Sequence, residues 1–501
     1  MKTIRLTWLP TAVLVAMLLC TSSVGYATAV ASADVPSGQL AGPTGAAAVL
    51  LAGGTIYLPF MAQEATFGTP QDIARFTAAL EKKGFAVQNG QLARMDFVTL
   101  CCSNQIPTCE CNNAGAPYKM VQVPDAPGQA PTGSPLLFRL AANEAIIIVG
   151  RTPPPMSYFS VQSFLAWRWD ERQQTWVELL APLGDTVNNL TIRTSGPASD
   201  PFDKDTIVIL TADRGVDERV QAAAGEVGYP ASILNTLVVP SALTRLGNDE
   251  NTDIFNFTQR MFRPKPGYED AFNKYLDAPQ VALRVTLAGA APDPFPAPPL
   301  RVRGTGRTEM DLMPAVEALR QAILARHSSV PREEQTTQVW LTDGYDGLQR
   351  GIDEWGPSRD TVYLRTVPEF RLGPNDFVIV YGANHEATGK ATYSNASVYA
   401  GHDIYGKDLL LGLVSEQSGN FPGSARDYLA NAPDTLYAWK FARDCHEEAH
   451  CTPITTTCAR LDLNNPPDMW MGFRAYLEPS TAVGPAFTEI VYDRAIVFHG
   501  Q

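Results

Sequence analysis

Residues 206–239 constrain the fold more than any other stretch of the chain. Thr206–Leu210 and Leu234–Val239 are aliphatic, β-branched runs typical of buried strands. Between them, small or aliphatic residues recur at helical spacing, at Val216, Val220, Ala223 and Val227. Gly228 ends the predicted helix. The order strand, helix, strand predicts a β-α-β unit, either ferredoxin-like or half of a split β-α-β pair. No G-x-G-x-x-G or Walker pattern lies at its turn, so no nucleotide is implied.

The remaining patterns predict an α+β fold with mixed sheets and a strand-rich C-terminal half. Apolar and aromatic runs bounded by turn residues predict further strands. They lie at Ala145–Val149, Tyr158–Trp169, Thr175–Leu180, Met469–Leu477 and Glu489–Phe498. Thr69-Pro70 is a typical helix start for the residues that follow. The sequence shows no internal repeat.

A proline-rich segment divides the chain into two predicted regions. Ala290–Pro299 contains too many prolines for a helix or a central strand. The sequence therefore predicts an α+β region at 34–289, a linker at 290–308 and a strand-rich region at 309–501.

The N-terminus has the pattern of a secretory signal. Lys2 and Arg5 precede the apolar run Trp8–Leu19, and Ala31-Ser32-Ala33 is a small-residue cleavage site. The expectation is a signal peptide at 1–33 and a protein that is secreted or otherwise extracytoplasmic.

Charge narrows the classes of partner. The chain has 52 acidic and 39 basic residues, a formal net charge of −13. Such an acidic protein is a poor match for nucleic acid or an anionic membrane. The apolar stretch 46–61 is interrupted by Gly53-Gly54 and Pro59, so no stable membrane insertion is expected. A small-molecule ligand is the partner class that remains, and the sequence identifies neither a cofactor nor an oligomeric state.

Seven cysteines follow the predicted signal, in two groups: Cys101, Cys102, Cys109 and Cys111, then Cys445, Cys451 and Cys458. In an exported protein such groups predict disulfides before zinc ligation. Their spacing does not define the connectivity, and the odd number leaves one thiol free or paired elsewhere.

The segment His446–His450 matches the H-E-x-x-H metalloprotease motif. That motif needs a helix, whereas residues 436–443 alternate in the pattern of a strand that runs straight into it. Cys445 and Cys451 flank the motif. The pattern favours a disulfide-closed loop over a zinc site, with a zinc hydrolase kept as an alternative.

The best candidate site follows the predicted strand Phe377–Tyr381. Polar residues follow a rigid strand here, where functional groups are often presented. His385 is the candidate general base, and Lys390 or Tyr393 would stabilise an anion. His402 and Asp403 would orient or assist it.

These patterns lead to two main hypotheses. The first is an extracytoplasmic enzyme that uses acid-base chemistry on a small molecule at the five candidate residues. The alternative is a non-catalytic secreted protein that binds a ligand or acts at a surface. It would use the aromatic side chains Tyr158, Phe159, Phe164, Trp167 and Trp169, whose simpler interpretation is a sheet core.

Overall fold

Two mostly antiparallel sheets with few helices form this protein. The computed structural model describes residues 68–103, 113, 116–289, 291–352, 358–400, 411–418, 421–454 and 468–500. All of them belong to one compact unit that spans residues 64–501. The mixed α and β composition agrees with the predicted α+β class. The division into two regions joined by a linker at 290–308 stays a prediction.

The described helices are α1 (Pro70–Lys82), α2 (Phe97–Cys102), α3 (Arg214–Glu226), α4 (Glu269–Asp277), α5 (Met313–Arg326) and α6 (Gly344–Arg350). Short 3₁₀ helices lie at Ala231–Ile233, Met310–Leu312 and Ser424–Asp427. Helix α1 begins where the sequence predicts, because the Thr69 side chain accepts from the Asp72 amide in a capping box. None of the described helices has the length and apolar character needed to cross a membrane.

The first sheet is built from residues 85–287 and has ten described strands. They are β1 (Phe85–Met95), β2 (Tyr118–Gln122), β3 (Glu144–Arg151), β4 (Met156–Asp170), β5 (Thr175–Pro182), β6 (Val187–Asn188), β7 (Asp205–Thr211), β8 (Leu234–Val238), β9 (Ile254–Pro264) and β10 (Gln280–Leu287). Their spatial order is β5-β4-β9-β2-β1-β10-β3-β7-β8, and β6 pairs with β4.

The second sheet is built from residues 332–498 and has nine described strands. They are β11 (Arg332–Leu341), β12 (Thr361–Val367), β13 (Phe377–Ala383), β14 (Tyr393–Ala400), β15 (Leu411–Ser418), β16 (Leu436–Ala442), β17 (Cys451–Pro453), β18 (Met469–Tyr476) and β19 (Arg494–Phe498). Their spatial order is β15-β14-β18-β12-β11-β19-β13-β16-β17.

The two sheets repeat one topology. Strands β11 to β15 occupy the places of β1 to β5, and β16 to β19 occupy those of β7 to β10. Each sheet has one parallel pair at the same edge, β7 with β8 and β16 with β17. The expectation of no internal repeat is therefore wrong. The repeat lies in strand order and register, while the connections differ, since α3 joins one parallel pair and a short disulfide-closed loop joins the other.

Matching residues support the repeat. The triplet Phe138-Arg139-Leu140 precedes β3, and Phe370-Arg371-Leu372 precedes β13. Phe138 bridges Phe255 in the first sheet, and Phe370 bridges Met469 in the second. Phe255 on β9 therefore matches Met469 on β18. Counting the same number of residues along each strand from these two gives the further matching positions of the repeat.

The predicted β-α-β unit is present. Strand β7, helix α3 and strand β8 follow one another, and the two strands are adjacent and parallel. Because they pair directly, no strand lies between them as a split unit would require. A ferredoxin-like arrangement is not confirmed.

Aromatic rings connect the two sheets. Tyr158 pairs with Phe262 across β4 and β9, and Tyr393 pairs with Tyr476 across the matching strands β14 and β18. Phe262 stacks on Tyr393 with ring centroids 4.8 Å apart, and Tyr158 lies 5.0 Å from Tyr476. We call these four buried residues the aromatic junction. Equivalent positions of the repeat therefore meet at the interface.

The proline-rich segment lies along both sheets. The Arg214 amide donates to the Asp293 carbonyl at 2.8 Å, and the Arg301 amide donates to Asp185 at 2.6 Å. Arg303 then donates to the Thr361 carbonyl of the second sheet at 3.1 Å. The segment forms no helix and no strand of its own over the described residues 291–308.

Truncation of Phe262 to alanine tests the aromatic junction. We expect Phe262→Ala to lower the free energy of unfolding by about 3–5 kcal/mol, because the substitution leaves a cavity among buried rings. Urea denaturation followed by circular dichroism measures the change.

Tyr268→Ala is the matched control, since Tyr268 is 43% exposed. A surface change of this kind is expected to alter stability by no more than about 0.5 kcal/mol. Equal losses in the two variants would show that the junction does not hold the sheets together.

Candidate functional site

The predicted polar segment forms a tight turn between β13 and β14. The Lys390 amide donates to the His385 carbonyl at 2.8 Å. Gly389 has a φ of 80°, a conformation that favours glycine. The turn places the His385 and Lys390 side chains among buried acids.

His385 lies between two carboxylates. Its side chain is 2% exposed. Its Nδ1 is 3.0 Å from each Glu309 carboxylate oxygen, and its Nε2 is 3.4 Å from Asp493 Oδ2. The Tyr437 hydroxyl donates to Asp493 at 2.6 Å, and the Val491 amide donates to Glu309 at 2.9 Å. Because carboxylates only accept, this geometry fits an imidazolium that donates from both nitrogens.

The electrostatics agree with a charged histidine. Burial alone would lower the pKa of His385, but Glu309 and Asp493 raise it well above 6.5. Burial alone would raise the pKa of Glu309, but the charge and hydrogen bond of His385 lower it. Both partners are therefore ionised at neutral pH.

Lys390 also lies between two carboxylates. Its Nζ donates to Glu489 at 2.6 Å and to Glu478 at 2.8 Å. Burial alone would lower the pKa of Lys390, but these two hydrogen bonds raise it. Burial alone would raise the pKa of Glu489, but Lys390 and the amides of Thr305 and Gly306 lower it to about 2. Lys390 is a paired cation.

The ion pairs of His385 and those of Lys390 are adjacent, since the Glu309 amide donates to the Glu489 carbonyl at 2.8 Å. We call the set the charged cluster: Glu309, His385, Lys390, Glu478, Glu489 and Asp493. The structure thus brings together two of the five predicted catalytic residues. It also shows their acidic partners, which the sequence analysis missed.

The other predicted residues lie elsewhere. The Tyr393 ring is buried in the aromatic junction, with the Arg263 guanidinium 5.4 Å from its centroid. His402 and Asp403 lie outside the described residues. The assignment of catalysis to these residues stays a prediction.

The charged cluster suits proton holding better than proton abstraction. A general base needs an unprotonated nitrogen at the working pH. The raised pKa of His385 keeps both of its nitrogens protonated near neutrality. As arranged, the cluster anchors the turn to residues 305–309 and to the chain around Asp493.

The H-E-x-x-H segment is a disulfide-closed loop, as predicted. Cys445 and Cys451 are bonded, and His446 and Glu447 have positive φ angles of 45° and 64°, which exclude a helix there. His450 Nδ1 is 2.6 Å from Asp427. Among the residues that the structure describes, no group of three or more His, Cys, Asp or Glu is placed to hold a metal ion. The predicted disulfides of the first cysteine group lie outside the described side chains.

The aromatic strand β4 forms sheet core instead of a surface platform. Tyr158, Phe159 and Phe164 are buried, and Trp167 and Trp169 are half-buried. The exposed aromatic groove required by the ligand-binding alternative is therefore not formed by the three buried rings. Any ligand that meets them has to lie inside the protein.

The three Asn-x-Ser/Thr sequons also lie in the interior. Asn189, Asn256 and Asn395 are all buried. A glycan attached at any of them would have to displace packed side chains. The folded chain therefore presents none of these sequons for glycosylation.

A second candidate site lies between the sheets at Arg260 on β9. Arg260 is 9% exposed, and its Nε has no hydrogen-bond partner. No Asp or Glu among the described residues forms an ion pair with it. Its guanidinium carbon lies 5.0 Å from the Phe164 ring and 6.0 Å from the Tyr118 ring. Buried charges are normally paired, so this arrangement is unusual.

The tyrosines near Arg260 do not neutralise it. They come from both sheets: Tyr118, Tyr158, Tyr363 and Tyr476. Burial raises the pKa of Tyr118, and it raises the pKa of Tyr158 well above the usual value. The Tyr118 and Tyr158 phenols are therefore uncharged at neutral pH. The buried carboxyl of Asp360 lies 2.9 Å from the Tyr158 hydroxyl, but it forms no ion pair with Arg260.

Arg474 occupies the position in the second sheet that matches Arg260. Tyr118 faces Arg260 across β2 and β9, and Tyr363 faces Arg474 across β12 and β18. Aromatic rings lie near the Arg474 guanidinium, at 5.3 Å for Tyr399 and 5.4 Å for Tyr363. The repeat therefore brings two buried guanidinium groups to the space between the sheets.

Arg284 shows how the same protein pairs a buried arginine elsewhere. Arg284 and Glu144 are both fully buried and 2.8 Å apart. The Arg284 guanidinium also donates to Gln129 at 2.7 Å and to the Arg139 carbonyl at 2.7 Å. Arg260 lacks such a set, which distinguishes it as a candidate binding residue.

Arg260 was not identified from the sequence, because a single arginine in a strand is typical of a solvent-exposed position. The available signal was the internal match of Gln259-Arg260-Met261-Phe262 with Phe473-Arg474-Ala475-Tyr476. An aligned pair of arginines in two apolar strands would have indicated a shared interior role.

No protein-family model matches the chain, and no curated protein matches it in sequence. The evidence for a function therefore comes from the geometry and charge of the two sites.

The His385 ion pairs predict a specific dependence of stability on pH. The folded-state pKa of His385 lies above the unfolded value of about 6.5, so its contribution is complete below that pH. The contribution is lost as pH rises through the raised folded-state pKa. Glu309 acts in the opposite sense, since its contribution is complete above about 4.3 and lost as pH falls through its lowered pKa. Urea unfolding across this range measures both slopes.

His385→Asn removes the titrating group and leaves two buried carboxylates unpaired. We expect it to cost about 3–5 kcal/mol at pH 6 and to flatten the alkaline slope. The control is His446→Asn, because His446 lies in the solvent-exposed loop. A variant His385→Asn with the wild-type pH profile would show that His385 is not a buried cation.

Proposed function

We propose that this protein is an exported small-molecule binding protein that holds an anionic ligand between its two repeated sheets, at Arg260. One observation carries the proposal: Arg260 is 9% exposed and lies against aromatic rings, and it has no carboxylate partner among the described residues. Export rests on the signal pattern of residues 1–33.

The first support is energetic. Taking an ion out of water costs several kcal/mol even after relaxation. Nearby aromatic rings offset part of that desolvation cost, by roughly 0.5–2 kcal/mol for each cation–π contact. Arg260 has such contacts with Phe164 and Tyr118. An anion bound beside the guanidinium would supply the missing interaction.

The second support is the orientation of two phenols. The Asn113 amide donates to the Tyr118 hydroxyl oxygen at 3.1 Å, and the Ser358 amide donates to the matching Tyr363 oxygen at 3.2 Å. Each oxygen thus accepts from the backbone, and its own O–H can donate elsewhere. Both tyrosines are neighbours of Arg260. We propose that their hydroxyls donate, together with its guanidinium, to a bound carboxylate, sulfate or phosphate.

The acid-base enzyme expected from the sequence is the second candidate. The observation that favours it is a cavity of about 560 Å³ lined by Asp493, Met313 and Tyr492. Asp493 Oδ2 also faces His385. Here Asp493 would contact the substrate, while His385 would hold a proton behind it. Incubation of wild type and Asp493→Asn with a metabolite mixture tests this candidate by mass spectrometry. If the protein is this enzyme, at least one compound in the mixture should be consumed by wild type and not by the variant.

The variant Arg260→Met tests the anion site. Without ligand, we expect the variant to be more stable than wild type by about 1–4 kcal/mol, because an unpaired buried charge is replaced by an apolar side chain. Sulfate, phosphate or citrate should raise the melting temperature of wild type relative to chloride at equal ionic strength. These anions also stabilise any folded protein because they are excluded from its surface, so the variant should show only that smaller, non-specific rise.

The same substitution at Arg284 is the matched control. Arg284→Met leaves Glu144 buried without its partner, so we expect a loss of about 3–5 kcal/mol. Stability changes of opposite sign at these two buried positions would distinguish an unpaired arginine from a paired one. The proposal is wrong if Arg260→Met destabilises the fold as Arg284→Met does, or if it keeps the full wild-type rise in melting temperature with these anions.

A further inference from the structure

A second cavity, of about 520 Å³, lies against the first sheet. It is bounded by the edge strand β8, by the loop around Asp185 and by the proline pair Pro298-Pro299. Its volume lies in the range of small-molecule sites, about 300–1,000 Å³. Arg260 does not line it, so it is a separate site from the proposed anion site.

Gln162 is the residue that marks this cavity as a binding site. It lines the cavity and is 2% exposed. Its amide nitrogen donates to the Gly184 carbonyl at 3.3 Å, whereas its amide oxygen has no hydrogen-bond partner in the described part of the chain. A buried acceptor without a donor is costly, and a ligand or water that donates to it removes the cost.

The hydroxyl and amide donors in the buried part of the cavity are already used. The Thr236 hydroxyl donates to Asp217 at 2.8 Å, and the Thr186 hydroxyl donates to Asp360 at 2.5 Å. The Asn235 amide nitrogen donates to the Arg193 carbonyl at 2.9 Å. Apart from the guanidinium groups of Arg193 and Arg301, the lining side chains therefore offer mainly oxygen acceptors, so a complementary ligand is rich in hydroxyl donors.

The charged side chains that line the cavity are paired or face solvent. They are Asp185, Arg193 and Arg301. Asp185 accepts from Arg359 at 2.7 Å and from the Arg301 amide at 2.6 Å. The Arg301 guanidinium is 38% exposed and lies 3.7 Å from Asp185, and Arg193 is exposed to solvent at the rim. Among the described residues, the buried part of the lining therefore has no unpaired carboxylate or guanidinium that would select a charged ligand.

We propose that this cavity binds a neutral, hydroxyl-rich molecule of sugar or cyclic-polyol size, with one ligand hydroxyl donating to the Gln162 amide oxygen. The prolines supply an apolar wall that adds no competing donor, since proline has no N–H. The site goes beyond the proposed anion function and does not depend on it.

Calorimetric titration of the full chain with D-glucose, D-galactose and myo-inositol tests this site, with glucuronate and glucosamine as charged probes. The neutral probes should bind saturably and raise the melting temperature. Gln162→Met keeps the side-chain length and removes the acceptor, so it should weaken binding by about tenfold.

Gln259→Met is the matched control. Gln259 is equally buried on the neighbouring strand β9, pairs with Val161 and does not line the cavity. It should bind the neutral probes as wild type does. If Gln162→Met does not fold, Val238→Phe replaces it, because Val238 lines the cavity and a larger ring would fill it.

Three results would overturn the proposal. They are no binding of any neutral probe, equal binding by wild type and the cavity variants, and binding of the charged probes alone. The last result would point to Arg193 at the rim as the recognition group.

Discussion

The packing of the aromatic junction is the interaction on which the rest of the structure depends. Phe262 on β9 of the first sheet stacks on Tyr393 on β14 of the second, with ring centroids 4.8 Å apart. Because the sheets meet through equivalent strands, they also bring Arg260 and Arg474 to one interior space. Burial of these arginines thus follows from the repeat.

Buried charge is handled in two ways in this protein. Arg284, His385 and Lys390 each face carboxylates at hydrogen-bonding distance. These groups join distant parts of the chain and suit a structural role. Arg260 lies among aromatic rings and has no such partner in the described part of the chain. This contrast distinguishes the stabilising ion pairs from the anion site that we propose at Arg260.

Local features were predictable from the sequence, and long-range pairing was not. The Thr69 cap, the β-α-β unit at Thr206–Val239 and the Cys445–Cys451 loop depend on residues close in sequence. His385 was identified as unusual, but its partner Glu309 is 76 residues away and Asp493 is 108 residues away. Those contacts depend on the order of the strands in the sheet, which the sequence did not predict. The internal repeat also lies in that strand order. For the aromatic strand β4 the sequence left two interpretations open, and the buried Tyr158, Phe159 and Phe164 confirm the simpler one, sheet core.

Anomalous diffraction from crystals soaked in bromide is the sharpest test of the proposed anion site, since it locates an anion without assuming a ligand. We expect a bromide peak beside the Arg260 guanidinium, within reach of the Tyr118 and Tyr363 hydroxyls. We expect no peak at Arg284, whose guanidinium is already bound to Glu144. An Arg260 that carries no halide and instead contacts a protein carboxylate would show that the proposed anion site does not exist.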